Sequence, residues 1–234
     1  MRFILSLLLS SLLLFGASND VAFEEFNEFS KEEPKVFDPL APYNQAMTTF
    51  NDYVYLNIID PVASGYGTII PEELRVAISN VFDNLLFPVR FVNNLLQLKF
   101  ENSADELFRF VINSTLGFAG MGDPAQTHFG IQAHKEDFGQ TLGYYGIGNG
   151  FHLVLPLLGP SNLRDIVGLS VDVYGNPITY VKTEWDSVGL KAYDRLNSAS
   201  LHVGEYASIK KDAIDLYPFL RDLYESRRKV QIKE

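Results

Sequence analysis

The sequence of 234 residues contains no cysteine. This absence excludes disulfide bonds, thiolate metal sites and cysteine nucleophiles. Basic residues are scarce as well, because 19 lysines and arginines stand against 29 aspartates and glutamates, for a formal net charge of −10. A nucleic-acid partner would require a basic surface to meet its phosphates, so the charge balance argues against one.

The chain also lacks the patterns of common catalytic centres. It has no G-x-S-x-G nucleophile elbow. The acidic pairs Glu72-Glu73 and Asp105-Glu106 lie at predicted helix starts, where the helix dipole accounts for them. Gly146-x-Gly148-x-Gly150 has helical patterns on both sides and not the strand-to-helix context of a dinucleotide loop, so we interpret it as turn glycines. We therefore expect a protein that is not an enzyme.

The histidines give no clear metal pattern. His128 and His134 lie near Asp123 and Asp137 in the sequence. Their spacing matches no ligand pattern with a helical rationale, such as H-E-x-x-H. We interpret both histidines as loop residues hydrogen-bonded to the backbone, and we expect no metal and no cofactor.

The first 18 residues are typical of an export signal. Arg2 supplies the positive charge, residues 3–15 form an apolar stretch too short to span a bilayer, and Ser18 suits cleavage. Residues 19–36 are acidic and are predicted to form a solvated tether. The mature chain is therefore expected outside the cytoplasm.

Helical spacing dominates from residue 37 onward. Apolar residues recur at steps of three or four over 43–58, 74–85 and 92–99. Asp60-Pro61 is predicted to end the first of these helices, and Pro88 to separate the second from the third.

A capping motif predicts the start of the next helix. Ser103 and Glu106 have the spacing of a capping box, and Gly117 is suited to end the helix that follows. Nine of the 17 glycines then fall within 117–150. Because glycine gives the backbone unusual freedom, we predict this window to be flexible.

The stretch 137–168 organises the rest of the chain. A helix is predicted within 135–145, followed by the glycine-rich loop and an apolar segment, 153–158, whose periodicity fits either a strand or a buried helical turn. Ser161 is predicted to cap a helix that runs to about Tyr174. The stretch offers apolar surface, backbone freedom and one charged pair, Arg164 and Asp165. Such a composition indicates an apolar passage and not a catalytic centre.

The expected architecture is all-α. The remaining chain reads as helices, the last beginning near Pro218 and ending in the basic residues 227–229. At this length, one sizeable core is sufficient. We predict a single helical domain over 37–228, followed by a basic tail at 229–234.

Five segments, in this order, resemble the MlaA family, also called VacJ. They are DPLAPYNQAM (38–47) with Phe50-Asn51 after it, RVAISNVFDNLLFPVRFVNNLLQLKF (75–100), RFVINSTLGFAGMGDPA (109–125), DFGQTLGYYGIGNG (137–150) and LVLPLLGPSNLRDIVG (153–168). The segment 215–228 is similar to the closing pattern of the family, from which Leu216 and Pro218 depart.

The resemblance implies a function in lipid transport. It implies a ring of amphipathic helices in the periplasmic leaflet of the outer membrane, around a central amphipathic pore. Phospholipid misplaced in the outer leaflet would pass through the pore to a soluble periplasmic carrier, and from there to an inner-membrane ABC transporter. It also implies association with a trimeric porin. Most relatives carry a lipidated cysteine that this sequence lacks, so attachment would require amphipathic helices, a porin or an uncleaved signal.

Fourteen residues are predicted to lie along the lipid path, at its mouth or at its gate. Arg109 or Arg164 would meet the lipid phosphate, for which the guanidinium fork is suited; the alternative is that these polar residues form caps and ion pairs at helix ends. The full set is Phe50, Asn51, Arg109, Asn113, Phe138, Gly139, Gly143, Gly146, Gly148, Gly150, Leu153, Leu155, Arg164 and Asp165.

Two other functions remain open at this stage. A soluble periplasmic lipid-binding protein would keep the apolar cavity but leave the membrane. A helical scaffold would bind an envelope protein and move no lipid. Localisation is therefore expected at the periplasmic face of the outer membrane, with the periplasm as the alternative.

Overall fold

A computed structural model of the protein describes residues 38–234. The export signal and the acidic tether predicted for 1–36 lie outside the described residues. In the described part, helices form nearly all of the regular secondary structure, with one two-stranded hairpin beside them, so the helical prediction is confirmed.

The first half of the fold is a run of helices. Its elements are α1 (Ala41–Val54), a π-helical segment (Tyr55–Ile59), α2 (Asp60–Ile69), α3 (Glu72–Leu85), α4 (Phe87–Leu96), α5 (Phe100–Thr115), the short α6 (Pro124–Thr127) and α7 (Phe138–Tyr144).

The second half begins with a small hairpin. Its elements are β1 (His152–Leu155), β2 (Gly159–Asn162), α8 (Leu163–Gly175), a 3-10 turn (Pro177–Tyr180), α9 (Glu184–Ser200), α10 (Glu205–Asp212) and α11 (Leu216–Lys233). The two strands are antiparallel, with His152 opposite Asn162 and Leu155 opposite Gly159. The apolar segment 153–158, for which a strand and a buried helical turn were both possible, therefore begins as a strand.

The predicted helix end at Asp60-Pro61 is wrong. The π-helical segment carries the chain from α1 directly into α2, and Pro61 lies in the first turn of α2. Proline is tolerated there because the first amides of a helix have no intrahelical acceptor. Pro88 lies in the first turn of α4, which confirms the predicted boundary after α3.

The predicted capping box is also wrong. α5 begins at Phe100, so Ser103 and Glu106 lie inside the helix. The Ser103 hydroxyl donates to the carbonyl of Phe91 at 3.2 Å, and Glu106 pairs with Arg90 at 2.6 Å. Both side chains therefore contact α4, and no side chain among residues 38–234 caps the start of α5.

The cap of α8 lies one residue after the predicted one. Ser161 belongs to β2, and the Asn162 side chain accepts the amide of Asp165 at 2.9 Å. At the other end of the chain, α11 continues to Lys233, so residues predicted as a basic tail form its last turns.

Contacts between the elements close a circuit. α2 follows α1 through the π-helical segment and packs on α9, α9 packs on α3, and α3 packs on α4. From α4 the contacts continue through α7 to α11, which returns to α1. This order is compatible with the expected ring, while the central pore stays a prediction.

Candidate functional site

The interior of the described chain is polar. Among residues 38–234, only six hydrophobic side chains are buried, namely Ala63, Phe82, Ala125, Val154, Ile178 and Tyr217. Buried polar and charged side chains are far more numerous. An ordinary soluble domain has the opposite distribution, because water favours burial of apolar surface.

Helices α4 and α5 illustrate this inversion. Their buried positions are all polar, namely Arg90, Asn93 and Asn94 on α4, and Ser103, Glu106, Arg109 and Asn113 on α5. Gln97, which directly follows α4, is buried as well. Their exposed positions include Val92, Leu95, Leu96, Leu107, Phe108 and Val111. The apolar stripe that the sequence reveals on each helix therefore faces away from the protein.

The buried charge of Glu106 is compensated on both sides. One carboxylate oxygen accepts from Arg90 Nε at 2.6 Å, and the other accepts from the backbone amide of His134 at 2.7 Å. A buried carboxylate is tolerated only when it is paired and hydrogen-bonded in this way. The pair therefore fastens α4 and the loop before α7 to α5.

Arg109 and Asn113 meet at Asp123. Arg109 donates to Asp123 Oδ2 at 2.7 Å and to the carbonyl of Ile131 at 2.6 Å, and Asn113 donates to Asp123 Oδ1 at 2.9 Å. Burial acts to raise the pKa of Asp123, but these hydrogen bonds outweigh it and hold the pKa below its usual value. Arg109 Nε is buried and has no partner within the described chain.

Two open cavities adjoin Met121. The larger, of about 440 Å³, is lined by the turn after α5 and by α6, including Leu116, Phe118, Met121, Asp123 and His128. The smaller, of about 220 Å³, is lined mainly by the apolar face of α3. None of the fourteen predicted residues, all within the described range, lines either cavity. Asp123 nevertheless connects Arg109 to the larger one.

Arg164 and Asp165 belong to a second cluster, which is centred on Arg228. Arg228 donates to Asp165 from Nε and Nη2, each at 2.9 Å. Its third nitrogen, Nη1, donates to Asp137 at 2.7 Å. Arg164 Nε also donates to Asp165 at 2.9 Å, and Tyr224 donates at 2.7 Å. Sequence spacing gave no sign of Arg228, because its partners lie on distant elements.

Three glycines let the backbones approach this cluster. A Cβ atom on Gly139 would lie 2.5 Å from Asp165 Oδ1, and one on Gly168 would lie 2.3 Å from the Gly139 amide nitrogen. One on Gly143 would lie 2.6 Å from the Ile232 side chain and 3.1 Å from Arg164. Phe138 directly precedes Gly139, and its backbone amide donates to the Asp172 carboxylate at 3.0 Å. The structure therefore brings five predicted residues together: Phe138, Gly139, Gly143, Arg164 and Asp165.

The hairpin is fastened to α1 by two asparagines. Asn44 donates to the carbonyl of His152 at 3.0 Å and accepts the amide of Val154 at 2.9 Å. Asn51 donates to the carbonyl of Leu155 at 2.9 Å and accepts the amide of Leu157 at 2.7 Å. Of the predicted residues, Asn51 and Leu155 are thus in contact, Leu153 lies in the same strand, and Phe50 is exposed on α1.

A buried carboxylate supports the other side of the hairpin. Glu225 of α11 accepts from Asn149 at 2.8 Å and bonds to His152 Nδ1 at 3.1 Å. Burial acts to raise the pKa of Glu225, but the hydrogen bonds from His152 and Asn149 outweigh it and lower the pKa. Asn44, His152 and Glu225 were not found from the sequence, since their partners lie on elements that are distant in the sequence.

The glycine-rich window has two different parts. Near its start, Gly120 donates to the Asn113 carbonyl at 2.9 Å and Gly122 donates to the Gly117 carbonyl at 2.9 Å. A Cβ atom on Gly117 would lie 2.5 Å from the Asn113 carbonyl oxygen, so this glycine serves close packing. Gly146, Gly148 and Gly150 lie in the exposed loop before β1, where Gly146 and Gly150 have φ of 83° and 69°.

The four residues considered as a metal site each bind another partner. His134 bonds to Asp105 at 3.2 Å and His128 bonds to the Thr127 hydroxyl at 2.9 Å, so the expected backbone partners are replaced by side chains. Asp123 and Asp137 pair with Arg109 and Arg228.

None of the helices between Asp38 and Glu234 combines the length and the apolar character needed to cross a bilayer.

Comparison with known sequences points to one family. The model of the MlaA lipoprotein family matches residues 36–231. The intermembrane phospholipid transport system lipoprotein MlaA of Haemophilus influenzae is 29% identical over 209 residues, with 85% of this chain and 80% of that protein covered. The protein of the same name from Escherichia coli is 34% identical over 146 residues, covering 58% of this chain and 55% of that protein. An uncharacterised protein of Rickettsia typhi is 28% identical over 200 residues, with 85% and 79% covered.

The fold is similar to that of a solved structure. The alignment covers 83% of this chain and 98% of the other, with a TM-score of 0.74 and 28% sequence identity. That structure is described as the structural basis for maintenance of bacterial outer membrane lipid asymmetry.

Proposed function

Because the chain belongs to the MlaA lipoprotein family, we propose that it transports phospholipid between membranes and thereby maintains the lipid asymmetry of the outer membrane. It acts by binding and passage of lipid, without a chemical step. The proposal rests on the family assignment and on the distribution of side chains described above, in which polar residues are buried and apolar residues are exposed.

The exposed apolar faces are the observation that carries the proposal. Phe108 is 56% exposed, and most of the outward positions of α4, α5 and α8 are also aliphatic or aromatic. Exposed apolar surface costs about 25 cal/mol per Å² in water, and soluble monomers rarely expose large contiguous patches. A lipid environment removes that cost, so these faces support contact with the outer membrane.

The polar interior suits the other half of a phospholipid. A charged headgroup needs polar partners on its path, and the inward faces of α4 and α5 supply amides, hydroxyls and paired charges. Arg109 has one unpartnered nitrogen, and its partner Asp123 lines the larger cavity. We propose that a lipid phosphate reaches Arg109 from this side, in exchange for part of its contact with Asp123.

The remaining predicted residues fall into two groups around the hairpin. Gly139, Gly143, Arg164 and Asp165 set the position of α8, and Asn51 with Leu155 sets the position of β1. We propose that these groups shape the lipid path. The exposed loop with Gly146, Gly148 and Gly150 is its gate.

The partners are proposed from the family. A transport system between two membranes requires a periplasmic carrier that accepts the lipid, and an inner-membrane ABC transporter that receives it. A trimeric porin is the proposed neighbour in the outer membrane. The exposed apolar faces supply the surface that both lipid and porin would contact.

Fractionation of native envelopes tests the proposal. Protein that stays in the outer-membrane fraction after a carbonate wash, with co-extracted phospholipid, is the expected result. Protein released with lipid would indicate a soluble lipid-binding protein, and protein released without lipid would indicate a scaffold. Either release would contradict the proposed membrane location.

A pair of variants connects location to function. Phe108→Lys places a charge on an apolar outward position, and Ser208→Lys places the same charge at an exposed polar position of α10. In cells that lack their own protein of this family, we expect Phe108→Lys to leave the outer-leaflet phospholipid high. Ser208→Lys should restore it to the wild-type level. Outer-leaflet phospholipid is measured by its accessibility to added phospholipase.

A further inference from the structure

The exposed face of α8 changes character along its length. Leu163, Val167 and Val171 form an outward aliphatic stripe at helical spacing, and each is 41–48% exposed. The stripe ends at Tyr174, which is 75% exposed. Aliphatic residues favour the hydrocarbon of a bilayer, whereas tyrosine and tryptophan concentrate at the level of the headgroups.

The chain after α8 continues this aromatic end. Tyr180 is 68% exposed and donates to the carbonyl of Tyr174 at 2.8 Å, and Trp185 in the first turn of α9 is 83% exposed. The 3-10 turn between them contacts both α8 and α9, and its Ile178 is buried. We call Tyr174, Tyr180 and Trp185 the aromatic turn. Its three rings are held on a packed support and not on a free loop.

Charged residues limit how deep the aromatic turn can lie. Lys182, Glu184 and Asp186 are all exposed in the same segment. Hydrocarbon does not tolerate such groups, while the headgroup region does, and an exposed lysine there can reach lipid phosphate. The opposite end of α8 adjoins the hairpin, whose exposed tip is formed by Leu157 and Leu158. The apolar end and the amphipathic end of α8 are thus distinct.

The length of α8 fits one leaflet. At a rise of about 1.5 Å per residue, the distance along the helix from residue 163 to residue 174 is about 16 Å. Half of a hydrocarbon core of about 30 Å is about 15 Å. Building on the proposed function, we propose that the aromatic turn lies at the level of the phospholipid headgroups, and that α8 runs from there through the hydrocarbon of a single leaflet.

Tryptophan fluorescence tests the depth of the aromatic turn in the unmodified chain. Trp185 is the one tryptophan in the sequence, so the emission needs no label. The protein is first floated with vesicles of phosphatidylethanolamine and phosphatidylglycerol. Quenching is then compared between vesicles with a spin label on the headgroup and vesicles with the label near the acyl chain end. We expect the headgroup label to quench Trp185 more strongly.

Moving the single tryptophan onto α8 tests the direction of this helix. In Trp185→Phe combined with Val167→Trp, the reporter moves to an outward position about 10 Å along the axis from residue 174. We expect the order of quenching to reverse, with the acyl label now the stronger. Equal depths would show that α8 lies flat and would overturn the proposal.

The outcomes separate this inference from the proposed function. Protein that floats while Trp185 is unquenched, or is quenched best by the acyl label, overturns only the placement of the aromatic turn. Protein that fails to float overturns both the placement and the proposed membrane contact.

Discussion

Arg228 of α11 binds Asp165 of α8 through two parallel hydrogen bonds of 2.9 Å, from Nε to Oδ2 and from Nη2 to Oδ1. The remaining nitrogen, Nη1, reaches Asp137 before α7 at 2.7 Å. The guanidinium and the Asp165 carboxylate are both nearly inaccessible to solvent. One arginine therefore pairs with two carboxylates, one of which Arg164 also contacts, and joins three elements that are far apart in the sequence.

The first prediction concerns this arginine. Arg228→Met should lower the free energy of unfolding by about 3–5 kcal/mol, because it leaves the buried Asp165 without its main partner. Arg227→Met is the matched control, since Arg227 is the adjacent residue and is exposed; we expect a change within about 0.5 kcal/mol. Thermal unfolding in detergent, followed by circular dichroism, measures both. Equal effects of the two substitutions would contradict the assigned role.

Acid should destabilise the protein. Hydrogen bonds outweigh burial and hold the pKa of Asp123, Asp165 and Glu225 below their usual values. Since the unfolded chain then binds protons first as the pH falls, their stabilisation is complete above the unfolded pKa and is lost below it. Burial raises the pKa of Asp172 and Asp194, which acts in the opposite sense.

We expect the three hydrogen-bonded carboxylates to dominate, because each accepts from at least two side chains. The unfolding temperature should be nearly constant from about pH 7 to about pH 5 and should fall below about pH 4. A melting temperature that rises as the pH is lowered from about 5 to about 4 would show that Asp172 and Asp194 prevail.

The sequence predicted where helices lie better than which way they face. The stripes on α4 and α5 were evident from spacing alone, since periodicity reports only that one side of a helix differs from the other. Whether Leu107 and Phe108 pack inside the protein or lie exposed on its surface depends on how the other helices pack against α5. Here they are exposed, and Glu106 is completely buried.

The missed partners have the same origin. Ser103 and Glu106 have the spacing of a capping box, but Arg90 on the preceding helix is a stronger partner for a buried carboxylate than a backbone amide. Arg228 was assigned to a helix end, because the sequence does not show that Asp137 and Asp165 lie beside it. Long-range ion pairs override local signals in both cases.

Two glycines should respond to alanine in opposite ways. Gly168→Ala would place a Cβ atom 2.3 Å from the Gly139 amide, so α7 and α8 must separate and the protein should lose stability. Gly65 lies in α2, and no atom of the described residues lies within 4 Å of its Cβ position. Gly65→Ala should therefore stabilise the protein by up to about 1 kcal/mol. Thermal unfolding of the two variants checks the predicted signs.

Asn44 should control the order of the hairpin. Asn44→Ala removes the acceptor of the Val154 amide and the donor to His152, at a cost of about 1–3 kcal/mol for buried groups left unpaired. Gln45→Ala is the control on the same helix, because Gln45 is exposed. Amide hydrogen exchange at Val154 should accelerate in Asn44→Ala alone. Unchanged protection would show that β2 is sufficient to hold β1.

Gly148 tests the proposed gate. Within the part of the chain that the structure describes, no atom lies within 4 Å of its Cβ position, and its φ is outside the left-handed region, so Gly148→Trp should fold normally. Gly189→Trp is the control, since Gly189 is equally open on α9. If the loop before β1 gates the lipid path, a bulky side chain at 148 should block it. Outer-leaflet phospholipid should then stay high with Gly148→Trp and fall with Gly189→Trp. Normal transport by a well-folded Gly148→Trp protein would remove this loop from the lipid path and leave the inward faces of α4 and α5 as the route.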